Sequence, residues 1–153
     1  MKQTNKVLGL AVAALFSAAA LGTAQPAAAE PAAPLDTTAV AGLFDLARSA
    51  WAEAGRPAPH LATSFWFALD DGDGDGSARA QVHRHLRHYM NWLPVELSDA
   101  MAPTTGFAGT LAQLRETLLR MADAGADEVQ LIPTGSDVSQ VEAVAELVSG
   151  LAT

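Results

Sequence analysis

The stretch Asp70–Ser77, DDGDGDGS, sets three carboxylates at alternate positions, Asp71, Asp73 and Asp75, and follows them with Gly76. That is the opening half of an EF-hand calcium loop, in which hard carboxylate oxygens surround a hard cation. The second half does not follow. The ninth position is Arg79, which repels an ion, and the twelfth, which should be a bidentate Glu, is Val82. An EF-hand is also entered from a helix, whereas the residues before this loop read as a strand. The better reading is a strand-to-helix loop with solvated carboxylates. Weak calcium binding by Asp71–Gly76 at high extracellular concentration stays open.

A second cluster is His83, His85 and His88 in HRHLRHYM. On a helix, His85 and His88 are three apart and share a face, while His83 points elsewhere. Three such side chains do not converge on one metal ion, and Arg84 and Arg87 between them disfavour a cation. No metal site is assigned, and an exposed basic face near an acidic loop is the simpler role. Thr134, Gly135 and Ser136 stand just before a helix start, where free amides can meet an anion. Turn and cap duty alone explains them. There is no Gly-rich nucleotide fingerprint and no assignable Ser/His/Asp triad, so the catalytic residues are unknown. The chain has no Cys, which excludes thiolate catalysis and disulfides.

The formal net charge of -8 over 153 residues argues against a nucleic-acid partner, which needs clustered Lys and Arg. The N-terminus has the three parts of a secretory signal peptide. Lys2 and Lys6 give a basic start, Val7–Leu21 is uncharged and apolar, and a small-residue stretch, GTAQPAAAEPAAP, follows. Cleavage after Ala29 fits best, with Ala24 as the other candidate. This divides the chain into a leader over 1–29, a linker over 30–36 and a segment over 37–153. The apolar run is short for a membrane span of ~20 residues, so no stable membrane anchor is expected after cleavage. The expected location is secreted or periplasmic if the leader is genuine, and cytoplasmic otherwise.

These residues need elements to position them. Val40, Leu43, Phe44, Ala47, Ala50, Trp51 and Ala54 recur at helical spacing, which predicts a helix over about 38–54 that Gly55 and Pro57 end. HLATSFWFAL, His60–Leu69, reads as a buried strand. Leu61, Thr63, Phe65 and Phe67 share one face, and Ala62, Ser64, Trp66 and Ala68 the other. Both faces are largely apolar, as in a parallel strand covered on both sides. A helix over about 77–92 has Val82, Leu86, Tyr89, Met90 and Leu93 on its apolar side. A short helix in PVELSDAM and a loop over 104–109 follow. Thr110 with Gln113 forms a capping box for a helix striped by Leu111, Leu114, Leu118 and Met121. Gly125 stops that helix, and Glu128–Ile132 is a strand. Asp137 with Gln140 reads as a second capping box, opening a helix whose Val138, Val141, Val144, Ala145 and Val148 face the core until Gly150. Two strands separated by helices imply an α/β fold with parallel pairing and right-handed crossovers.

Three stretches within Leu43–Leu147 carry a family resemblance: AWAEAGRPAPHLATSFWFALDDG, HRHLRHYMNWL and, most specifically, TTGFAGTLAQLRETLLRMADAGADEVQLIPTGSD. They resemble the C-terminal part of luciferase-like monooxygenases, flavin- or deazaflavin-dependent oxidoreductases built on a TIM barrel. In that family a helix, the phrase AGADEV, an apolar strand ending in Pro and a final helix close the barrel. The resemblance implies a partial TIM barrel comprising its last two β/α units, with extra helices. Leu61–Leu69 then stands as the seventh strand and Glu128–Ile132 as the eighth. It implies FMN or the deazaflavin coenzyme as cofactor, a small-molecule substrate, and Ser64 and Trp66 as cofactor-facing residues on the inner side of a complete barrel. A whole barrel takes about 200 residues or more, so this chain spans about half of one. The expectation is a fragment that is not catalytically complete alone and that is able to self-associate as a homo-oligomer. The alternative is an exported, non-enzymatic, acidic α/β binding module.

Overall fold

The computed structural model describes residues 35–70 and 76–151. The leader expected over 1–29, most of the linker, and Asp71, Asp73 and Asp75 lie outside them. Within the described residues the chain forms α1 (Thr37–Glu53), β1 (Ala62–Leu69), α2 (Ser77–Tyr89), α3 (Val95–Met101), a 3-10 turn (Ala102–Thr104), β2 (Phe107–Gly109), α4 (Leu111–Asp123), β3 (Glu128–Pro133) and α5 (Val138–Leu151). The three strands make one parallel sheet in the order β2-β1-β3. It is an open α/β sheet and does not close into a barrel.

Local chemistry explains most of the boundaries. Asp36 caps α1, its Oδ1 accepting the amide N–H groups of Thr38 and Ala39. At the other end Gly55 takes φ +64, a left-handed angle that costs glycine little. The capping box at Thr110 is present: Thr110 Oγ1 accepts the N–H of Gln113, and Gln113 Oε1 accepts the N–H of Thr110.

β1 is the central strand, and its alternation builds two different faces. Phe65 and Phe67 pack with Phe107, Leu114 and Val144, and Leu69, Leu111, Leu118, Val129, Leu131 and Leu147 surround that cluster. On the opposite face Ala68 meets Ala78 and Val82 of α2. Trp66 packs beside a cluster of Leu86, Met90 and Ala102. The division expected from the sequence therefore holds for Phe65–Ala68, but Ala62 and Ser64 are exposed, so the second face is covered only toward the carboxyl end of the strand.

Four expectations need correction. First, residues 107–109, expected as part of a loop, form β2. Its register pairs Phe67 with Phe107 and Leu69 with Gly109, and the N–H of Asp70 continues the ladder to Gly109 O at 2.9 Å. Gly106, at φ +74, bends the chain into line at a spot where a Cβ would sit 3.0 Å from both Trp66 O and Val82 Cγ1. Second, α2 stops at Tyr89, and Tyr89 itself is exposed although its spacing placed it on the apolar side. Third, Val144 is buried, but Val138, Val141 and Val148 are exposed, and Leu147 rather than Ala145 supports the core. The reason is that α5 follows an edge strand, so a narrow stripe of it meets the sheet. α5 also runs through Gly150 to Leu151. Fourth, Asp137 Oδ1 accepts from the N–H and hydroxyl of Ser139, while Gln140 Oε1 accepts the N–H of Leu69. Gln140 serves the end of β1 and not a capping box.

Candidate ligand cleft at the carboxyl ends of the strands

From β1 the chain crosses to β2 on one side, then passes to β3 on the other. β1 and β3 are parallel neighbours, and the segments that leave them diverge. α2 packs on the Ala68 face, whereas Val144 of α5 packs on the Phe67 face. In open parallel sheets such divergence leaves a crevice beyond the carboxyl ends of the two strands, and ligands bind there.

A solvent-open cleft of about 400 Å³ occupies this place. One wall is α2, through Gln81, Arg84, His85 and His88, and the other is the turn Thr134–Asp137 between β3 and α5. The four α2 residues are spaced i, i+3, i+4 and i+7, so they form one stripe of the helix. The two walls are tied together. Gln81 Nε2 donates to Thr134 Oγ1 at 3.2 Å, and the Thr134 hydroxyl donates to Phe67 O at 2.9 Å. Gly135 lies so close to α2 that a Cβ there would come within 2.6 Å of Gln81 Nε2.

Charge in the cleft is unequally compensated. Outside the cleft, Arg48 pairs with Asp45, and Arg87 pairs with Asp99 at 2.6 Å. Arg84 has no carboxylate partner among the described residues. Asp137 is the single acid of the lining, and its Oδ1 is already engaged by Ser139. Burial lowers the pKa of His85, and the charge of His88 lowers it further, because a protonated ring there meets less water and a like charge.

Of the candidates read from the sequence, His85, His88, Thr134, Gly135 and Ser136 meet in this cleft. His83 does not. It lies on another side of α2, where its Nε2 is buried with no hydrogen-bond partner among the described residues. Its pKa is lowered first by burial and then by Arg79, with a backbone hydrogen bond to Ala102 acting the other way. Ser64 is exposed beside Gln130 on the sheet and does not line the cleft. Trp66 is half-buried. Its ring meets His85 edge-on at 5.6 Å and Tyr89 at 5.1 Å, while His85 and Tyr89 stack at 6.2 Å. Trp66 thus reaches the cleft through His85.

Gln81 is the lining residue that sequence reasoning missed. The i, i+3, i+4, i+7 spacing contained it, but that spacing is ordinarily searched for apolar residues. Among the described residues no three His, Asp or Glu side chains converge on a metal position. At the opposite, amino end of the strands, His60 meets Glu128 at 3.2 Å, and Asp127 Oδ2 accepts the N–H of Leu61. These contacts clasp β1 to β3, and hydrogen bonds from Gln130 and then His60 hold the Glu128 carboxyl below its usual range.

No protein-family model matches the chain, and no curated protein or solved structure matches it either.

Proposed function

We propose that residues 43–147 are the closing portion of a luciferase-like flavin- or deazaflavin-dependent oxidoreductase barrel. On this reading the chain does not complete a cofactor pocket by itself. The observation that carries the reading is the central strand. β1 is apolar on both faces and parallel to both neighbours, yet the sheet stops at three strands among the described residues. Parallel sheets are normally covered and continued. The order β2, α4, the AGADEV turn, β3 ending in Pro133, and α5 supports it, because this is how the resembled family ends. Ile132 on β3 and Val138, Val141 and Val148 on α5 are exposed, as expected where further barrel elements or a second copy would pack.

In that family the cofactor supplies hydride transfer or oxygen activation, and the protein supplies orientation and a dry pocket. The residues present do not fit a whole cofactor. A flavin ring stacking on Trp66 has to displace His85 and Tyr89, Ser64 is exposed, and the cleft is open to solvent. Titration of the purified chain with FMN and with the deazaflavin coenzyme is therefore expected to show no saturation up to about 100 µM, which means binding weaker than roughly −5.5 kcal/mol. Saturable micromolar binding of either would sink the claim of incompleteness.

The exported, non-enzymatic module is the second reading, favoured by the leader-like residues 1–29. Mass and N-terminal sequence of the protein from its native cells separate the two. A chain starting at Glu30 favours the module, and a longer polypeptide carrying further barrel strands favours the oxidoreductase.

A further inference from the structure

The geometry points to a binding site for a phosphate monoester in the cleft between α2 and the Thr134–Asp137 turn. This inference does not rest on the luciferase-like reading. It stands on the cavity and on the side chains that line it.

One guanidinium, Arg84, and two imidazoles, His85 and His88, line one wall. Arg56, Arg79, Arg115 and Arg120 also have no carboxylate partner among the described residues, but Arg84 is the arginine that lines the cleft, beside two imidazoles. The acidic residues that neutralise Arg48 and Arg87 have no counterpart at Arg84 among the described residues. A guanidinium offers a planar fork of donors that matches phosphate oxygens. Imidazole and hydroxyl donors complete such a shell, and Ser136 supplies a hydroxyl on the opposite wall.

The shape fits the same ligand. Gln81, Thr134 and Phe67 O hold the floor through two hydrogen bonds, so the walls are joined before any ligand arrives. Gly135 lies close to α2, where a Cβ would push the end of the Gln81 side chain aside. A volume of about 400 Å³ admits a phosphate and a small organic group, near the lower end of ordinary ligand pockets. Asp137 opposes an anion, but the donations from Ser139 spread part of its charge. A divalent cation fits worse, since one carboxylate would face Arg84 and two imidazoles.

The test is a titration of the full chain with glycerol phosphate, inorganic phosphate and, at matched ionic strength, sodium chloride. The readout is the ring-proton NMR signals of the histidines. Saturable shifts of His85 and His88, with His60 unmoved, are expected for both phosphates and not for chloride. A tighter fit for the ester than for inorganic phosphate assigns the site to an ester, and the reverse assigns it to free phosphate. Arg84→Gln is expected to weaken binding about tenfold, as loss of one charge-assisted contact does. Arg115→Gln, on exposed α4 surface, leaves binding unchanged and reports a folded protein. Equal shifts with chloride, no saturation up to about 20 mM (weaker than roughly −2 kcal/mol), or an Arg84→Gln variant that binds like the parent would each overturn the site. Phosphate binding without flavin binding leaves the cleft standing and bears only on the cofactor reading.

Discussion

The two faces of β1 are built on opposite principles. One is filled with bulk: Phe65, Phe67, Phe107 and Leu114 interlock beneath α4 and α5. The other is small near the carboxyl end of β1: Ala68 lies against Ala78 and Val82, and a Cβ at Gly106 would sit 3.0 Å from the Trp66 carbonyl, while Trp66 packs further back beside Leu86 and Met90. Large side chains bury much apolar area and so contribute most of the stability of the fold. Small ones contribute less area but let backbones come close, which fixes the position of α2. Since α2 carries Gln81, Arg84, His85 and His88, the small face sets the geometry of the cleft. Stability and site placement are thus divided between the two sides of one strand.

The largest effect is expected where bulk is removed. Phe67→Ala empties the centre of the large face and should lower unfolding free energy by about 3–5 kcal/mol in urea melts. A loss under about 1 kcal/mol would mean that this face is not the main store of stability. Next comes Gly106→Ala, which combines a positive φ with two contacts at 3.0 Å. It should cost about 1–3 kcal/mol and also shift the His85 environment, whereas Phe67→Ala should leave the His85 signals of the folded fraction near their parent positions. If both variants move His85 alike, the division between the faces fails.

Thr110→Ala removes the capping box of α4 and should cost about 1 kcal/mol, seen as a lower melting temperature with the cleft untouched. The smallest effect concerns acid. Burial holds the pKa of His83 below its ordinary 6.5, so the unfolded chain binds protons more readily. The stability this provides is present above about pH 6.5 and is lost as pH falls through the lowered folded value. Denaturation curves at pH 7.5 and 5.5 should therefore show a smaller acid loss for His83→Gln than for the parent. His85, lowered in the same direction, keeps part of the slope. An unchanged slope in the variant would locate the acid sensitivity elsewhere.

The large face was legible in the sequence because bulky residues at alternate positions announce themselves. So were the cap at Thr110 and the glycine stops at Gly55 and Gly125. The three-residue strand Phe107–Gly109 was hidden. It is too short for alternation, and its place depends on Gly106 meeting Trp66 and Val82, a contact between distant parts of the chain. Gln140 was misread for a related reason: its spacing from Asp137 suits a capping box, but a free amide at Leu69 competes for it. The valines of α5 followed a helical period, and periodicity alone does not say how wide a stripe an edge strand can cover. For the cleft, His85, His88 and Thr134–Ser136 could be named from the sequence. Their convergence could not, since it arises from the strand order.

The strand order also governs when this fold can form. Thr134 reaches back to Phe67 O across 67 residues of chain, and the whole of β3 must exist before β1 has both neighbours. A ribosome adding about 5–20 residues per second exposes the phenylalanines of β1 for several seconds before Pro133 leaves the exit tunnel. Pairing over such separations is intrinsically slow as well. The nascent chain therefore carries its stickiest segment unshielded while the next four elements are made, and α5, which follows β3, is the helix that seals it.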